Sequence, residues 1–132
     1  MNGIIRPAKE RDINSIYLMI NCAARKHRVL PRSRREIGGI MEAFFVFETD
    51  GKIIACCAVE IYNPRMAEIR SLVVADGYQN QGIGKLLVRA CIEKAKKKKI
   101  HQILSVTDKV NFFRKCGFDT CLNDQYAMFI KT

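Results

Sequence analysis

The chain has 132 residues, enough for one domain with a real core and too few for two comfortable ones. Apolar residues make up 48% and charged residues 27%, which fits a folded globular protein and excludes a disordered chain, a collagen-like repeat or a fibre. The 23 Lys and Arg outnumber the 13 Asp and Glu to give a formal charge of +10, which suits a nucleic acid, a membrane surface or a small polyanion without choosing among them.

No apolar run approaches the roughly 18 to 20 residues of a membrane span, and "MNGIIRPAKERD" becomes charged too early to hold a signal-peptide core. A cytoplasmic location is therefore expected. Cys22, Cys56, Cys57, Cys91, Cys116 and Cys121 form no CxxC pair, and most sit within apolar runs, as reduced core thiols would.

In chain order, "GIIRP" reads as a first strand ending at Pro7. Asp12 can cap a helix that carries Ile13, Ile16, Tyr17 and Ile20 on one face and runs to about Arg25. After the loop "KHRVLPR", Ser33 and Glu36 have the spacing of a capping box, and Gly38-Gly39 keep the helix they open short. "FFVFET" and "KIIACCAVEIY" are β-rich runs joined by Asp50-Gly51, the dipeptide of a tight hairpin, so they should be antiparallel neighbours. Past the turn "NPR", "AEIRSLVV" is the best candidate for a central strand. From Gly82 onward Ile83, Leu86, Leu87, Ala90, Cys91 and Ala95 recur at helical spacing. "QILSV" is then a strand, "NFFRKC" a short helix stopped by Gly117, and "YAMFI" a last strand. The run Lys96 to Lys99 falls at a helix end, where cations complement the dipole; a nucleic-acid patch is the less economical reading.

The stretch "YQNQGIGKLL" places two glycines between a strand and a helix. That order presents free backbone N–H groups and a positive dipole end to an anion. It is not a Walker loop, because Leu86 follows Lys85, and it lacks the GxGxxG spacing of a dinucleotide fold. A plain strand-to-helix turn that binds nothing is the competing reading.

Gln79-Asn80-Gln81-Gly82-Ile83-Gly84, following "SLVVADGY", resembles the Q/R-x-x-G-x-G/A signature of the GNAT superfamily of N-acetyltransferases. "FFRKCGF" resembles that family's short helix after its fifth strand, and the element order matches along essentially the whole chain. The resemblance implies one α/β domain over 1–132, built on a mixed, mostly antiparallel sheet with splayed central strands and flanking helices. It implies acetyl-CoA as acetyl donor. The amides of Gln81, Gly82, Ile83, Gly84 and Lys85 would hold the pyrophosphate, with Gln79 in the same turn, and the strand edge near Leu72 and Val74 would pair with the pantetheine arm. A backbone N–H near Val74 would stabilise the oxyanion.

"VLPRSRREI" and "AEIRSLVV" resemble a narrower group, the acetyltransferase domain of N-acetylglutamate synthases and similar short proteins. That resemblance implies glutamate as acceptor and a place in amino-acid biosynthesis. Arg32 and Arg70 can offer planar forks to its two carboxylates, with Arg34 or Arg35 as alternatives to Arg32. Glu68, two residues before Arg70 and so on the same face of its strand, can take the proton that the ammonium must lose. A surface ion pair of Arg70 with Glu68 or Glu60 is the competing reading. Many relatives carry a Tyr where this chain has Phe113, so their general acid is missing; Tyr126 is a candidate replacement. Cys116 and Cys121 raise the idea of an acetyl-cysteine, with packing preferred. His27 and His101 have no companions at ligand spacing, and no metal is expected. Alternative functions are a GNAT enzyme acting on another small or protein amine, and a non-catalytic acetyl-CoA sensor. A homodimer is possible; a nucleic-acid or membrane partner is not expected.

Overall fold

The computed structural model describes residues 2–132. Five strands form one sheet in the order β1 (Gly3–Pro7), β2 (Phe44–Thr49), β3 (Lys52–Asn63), β4 (Met66–Val74) and β5 (Gln102–Leu104). The first three pairings are antiparallel and β4 with β5 is parallel, the mixed, mostly antiparallel sheet of a GNAT-like fold. Helices α1 (Ile13–Arg25) and α2 (Arg34–Gly39) precede β2, α3 (Ile83–Lys97) connects β4 to β5, and α4 (Val110–Lys115) follows β5.

β3 is the middle strand, and β4 beside it is an interior strand paired on both sides. The β3 run "IIACCAV" supplies apolar side chains to both faces, whereas β4 spends Glu68 and Arg70 on one of its faces. Toward α3, Ala55, Cys57, Val59, Ala67 and Ile69 pack with Leu87, Val88, Cys91 and Ala95. Toward α1 and α2, Val46, Cys56, Ala58 and Val73 pack with Ile16, Ile20 and Ile37. The small residues Ala55 to Ala58 at the sheet centre let both helical layers approach closely, which explains buried cysteines without a redox role. Burial pushes the Cys56 thiol up to about 12. Cys22, by contrast, is exposed.

Local signals produced the expected turns. Ser33 Oγ accepts from Glu36 N–H, and Glu36 returns a carboxylate to Ser33 N–H. Asp50 and Gly51 both have positive φ, 49° and 73°, as a two-residue hairpin of this kind requires.

Three expectations are corrected. Asp12 does not cap α1 with its side chain; its carboxylate instead accepts from Lys9 N–H at 2.8 Å and from Arg6 at 2.7 and 3.0 Å. β5 stops at Leu104, because the Ser105 hydroxyl turns onto the Ile69 carbonyl at 3.0 Å and the ladder ends. "YAMFI" forms no strand. With β5 only three residues long, its β-forming side chains meet no ladder, and Tyr126, Met128, Phe129 and Ile130 are exposed.

The Arg6 guanidinium reaches Asp12 and Glu48 together and ties β1 to the turn before α1 and to β2. Asp12 is 4% exposed, and Arg6 holds its carboxyl below the ordinary value against the opposing effect of burial. A folded-state pKa below the unfolded one stabilises fully above the unfolded value, about 3.9, and the benefit is lost as pH falls through the folded value. Asp12→Asn should cost about 3 kcal/mol at neutral pH. In urea unfolding across a pH series, the gap between variant and wild type should close as pH drops below about 4.

Candidate active site

The site begins at the turn between β4 and α3. Gly82 sits at φ 83°, in the left-handed region, and a Cβ there would meet nothing within 4 Å. The first helical bond of α3 runs from Leu86 N–H to Gly82 C=O at 3.1 Å, so the amides of Ile83, Gly84 and Lys85 have no acceptor in their own helix. Gly84 answers a different need. A Cβ on it would come within 3.3 Å of the Phe112 ring, so its absence lets α4 close on α3. The turn is braced from behind: Gln79 Nε2 donates to Val74 C=O at 3.1 Å, and Asp76 takes Lys26 at 2.6 Å and Arg28 at 3.3 Å. Gln81 and Lys85 are exposed, whereas the Ile83 side chain is buried, leaving only its amide available. Unpaired donors and the dipole of a fifteen-residue helix together fit a phosphate group.

From this turn β4 leads back along an open edge. It pairs with β5 only across Met66 to Glu68, opposite Gln102 to Leu104; beyond Glu68 the two strands part and the outer edge of β4 has no strand partner. Leu72 and Val74 lie on that stretch, half-buried against the α3 core.

Two bulges bracket Glu68 and Arg70. In one, Ser71 and Leu72 of β4 stand against Cys57 alone, with Ser71 at φ 56°; in the other, Tyr62 of β3 has no partner on β4. The first bulge shifts the alternation by one residue. Ala67 and Ile69 face α3, and past Ser71 it is Leu72 and Val74 that do so, while Val73 joins the opposite core.

On the α1–α2 side of the sheet the charged residues meet. Glu60 and Glu68 are register partners, an opposition of like charges that needs cations to relieve it. Arg32, entering from the loop before α2 and only 8% exposed, gives one nitrogen to Glu60 at 2.9 Å and its Nε to the Ser71 hydroxyl at 2.8 Å. Arg70, 34% exposed, reaches the same Glu60 oxygen at 3.3 Å and stands 3.9 Å from Glu68 Oε2. The Tyr62 hydroxyl donates to Glu68 Oε1. Arg32, Glu68 and Arg70, expected from sequence, therefore share one cluster, joined by Glu60 and Tyr62. Glu60 was foreseeable only as an ion-pair partner, and Tyr62 had no local signal at all.

Other candidates lie elsewhere. Arg34 stacks 3.9 Å over the Tyr17 ring and donates to Asn14, so it is committed away from the cluster. Phe113 is buried and packs edge-on against Phe112 and Phe118. Tyr126 lies exposed in a stretch without strand pairing. Burial pushes the Cys116 thiol up, which disfavours the thiolate an acetyl-cysteine would need. Among the described residues no group of three His, Cys, Asp or Glu could hold a metal ion. No described helix is long and apolar enough to cross a membrane.

Residues 30–118 match the acetyltransferase (GNAT) family. An uncharacterised N-acetyltransferase of Chlorobaculum tepidum is 32% identical over 86% of this chain and 74% of its own length. An amino-acid acetyltransferase of Pasteurella multocida is 29% identical over 86% of this chain, which spans only 26% of that protein. Among solved structures, N-acetylglutamate synthase from Neisseria gonorrhoeae, complexed with coenzyme A and N-acetyl-glutamate, aligns with a TM-score of 0.85 and 27% identity. That alignment takes in 94% of this chain and 30% of the synthase. A Mycobacterium tuberculosis protein in complex with CoA aligns equally well, at 23% identity over 90% of this chain and 73% of its own, which speaks for the fold. The chain thus belongs to the GNAT acetyltransferase family, whose members are acetyl-CoA-dependent N-acetyltransferases.

Glu60→Ala would leave Arg32 buried without its carboxylate, at a cost of about 3 kcal/mol, whereas Glu60→Gln should cost less because the amide oxygen still accepts. Thermal unfolding of the two variants checks the order.

Proposed function

We propose that this chain transfers the acetyl group of acetyl-CoA to the α-amine of a small acidic amino acid, with glutamate as the leading acceptor. One observation carries the proposal: Arg32 and Arg70 converge on a single carboxylate, that of Glu60, beside Glu68. An arginine pair that already holds a carboxylate has the chemistry to hold one from a substrate. Arg70 is the freer of the two, since it is partly exposed and makes only one hydrogen bond, whereas Arg32 is pinned by Ser71 and Glu60. The similarity to amino-acid acetyltransferases points the same way.

Acetyl-CoA would supply the activated acyl group, with its diphosphate held by the amides of Ile83, Gly84 and Lys85 and its pantetheine arm along the open edge at Leu72 and Val74; Gln79 and Gln81 would shape the turn. Glu68 would accept the proton of the acceptor ammonium, freeing the nitrogen lone pair to attack. Arg70, with Arg32 behind it fixing Glu60, would orient the acceptor so that its amine, not a carboxylate, faces the gap between β4 and β5. No phenol stands at position 113, so solvent would return a proton to the departing thiolate. The setting implied is amino-acid biosynthesis.

A thiol-release assay with acetyl-CoA and a panel of glutamate, glutamine, aspartate, polyamines and a lysine peptide tests the acceptor. Glutamate should be preferred. Arg70→Ala should raise its KM by about tenfold or more while changing kcat less, as loss of one charged hydrogen bond implies. Glu68→Gln should lower kcat by about 10² to 10⁴. Unchanged glutamate turnover in Arg70→Ala, or turnover of the peptide alone, would sink the acidic-acceptor reading. In a separate binding measurement, Gly82→Ala should weaken CoA by about tenfold, since a Cβ in the left-handed region costs about 1–2 kcal/mol and the turn must shift to relieve it.

A further inference from the structure

Tyr62 is an aromatic residue that neither core uses. Its side chain is 51% exposed, it is the unpaired residue of the β3 bulge, and its hydroxyl is spent on one atom, Glu68 Oε1. A surface ring held only for stability would gain its energy from burial. This one gains little, and its polar end is aimed at the carboxylate beside the opening between β4 and β5. We propose that Tyr62 is a positioning residue for Glu68: its hydroxyl fixes the carboxylate and leaves Oε2 as the oxygen that takes the proton of the acceptor amine. The inference rests on the reading of Glu68 as base.

The geometry divides the two oxygens. Oε1 carries the phenol, and Oε2 faces Arg70 Nε at 3.9 Å, too far for a hydrogen bond. Glu68 is 13% exposed, so its rotation is restricted on other sides as well. The charged or titratable groups around it are Tyr62 and Glu60 from β3, Arg70 from β4, and Arg32 acting through Glu60 from the loop before α2; its register partner on β5, Leu104, brings no charge. Partial burial first, then the bond to Glu68, push the Tyr62 phenol above its ordinary value, so it remains a donor wherever the enzyme would work. A donor to an ionised carboxylate favours the ionised form. Removing it frees Oε1 to turn away, and the carboxylate is no longer held with Oε2 toward the amine.

The test pairs kinetics with a titration that needs no acetyl-CoA. In Tyr62→Phe kcat for glutamate at neutral pH should fall several-fold, as a base of less fixed orientation implies, with KM for glutamate and for acetyl-CoA unchanged. In the free protein, ultraviolet titration of the phenols, with the Tyr62 component assigned by difference from Tyr62→Phe, should show that component ionising at lower pH in Glu68→Gln. An unchanged kcat in Tyr62→Phe, while Glu68→Gln is inactive, would overturn the role of Tyr62 and leave the base assignment standing. Full turnover by Glu68→Gln would overturn both. A Tyr62 titration indifferent to Glu68→Gln would show that the hydroxyl does not hold that carboxylate and would likewise end the proposal.

Discussion

β4 must satisfy two neighbours with different requirements, and the bulge at Ser71 is how it does so. Ahead of the bulge, the strand pairs on both sides as far as Glu68 and presents Glu68 and Arg70 to the α1–α2 face. Behind it, the alternation has slipped by one, the outer edge is free, and Leu72 and Val74 turn toward α3. A regular strand would carry Ser71 and Val73 toward α3 instead and give up the apolar contacts of two residues, each worth about 1.5–3 kcal/mol when fully buried. The same bulge lifts the Ser71 hydroxyl to Arg32 Nε. One irregular residue thus connects the open edge, the core and the buried arginine.

The charges on that face make little sense as a device for stability alone. Glu60 and Glu68 oppose one another across the ladder, and the arginines that relieve them must themselves be desolvated. Replacing such a buried cluster with well-packed apolar side chains is often neutral or stabilising. On the same sheet face, a few residues away, Cys56, Ala58 and Val73 do pack in that apolar manner. The polar cluster is confined to the end where β4 and β5 part, which is where a polar acceptor and an acyl donor can meet.

Much of the fold was legible because its signals are local. The Ser33–Glu36 box, the Asp50-Gly51 hairpin and the helix after Gly82 are each written within a few residues, and the backbone answers each as expected. What escaped depended on partners distant in sequence. Asp12 has the right type and place for a cap, but Arg6 outcompetes the helix for its carboxylate. "YAMFI" has strand composition, but a strand exists only beside another. In the site, Glu68 and Arg70 could be placed on one face by counting in twos, whereas Tyr62 and Glu60 joined them through a register and a bulge that no spacing in the sequence encodes.

On the proposed function, phenylalanine at position 113 would leave protonation of the departing thiolate to solvent. Phe113 is a core residue clasped by two other rings, so that position is occupied by packing. A thiol with a pKa near 8.5, taking cysteine as a guide, leaves as an anion that water can protonate at neutral pH without a protein donor. The acceptor ammonium is the harder proton, because the attacking nitrogen must lose it before bond formation. A single carboxylate therefore suffices if it is held in one orientation and kept ionised. On the proposed reading, Arg70 and the Tyr62 hydroxyl, standing on opposite oxygens of Glu68, would hold that carboxylate in one orientation.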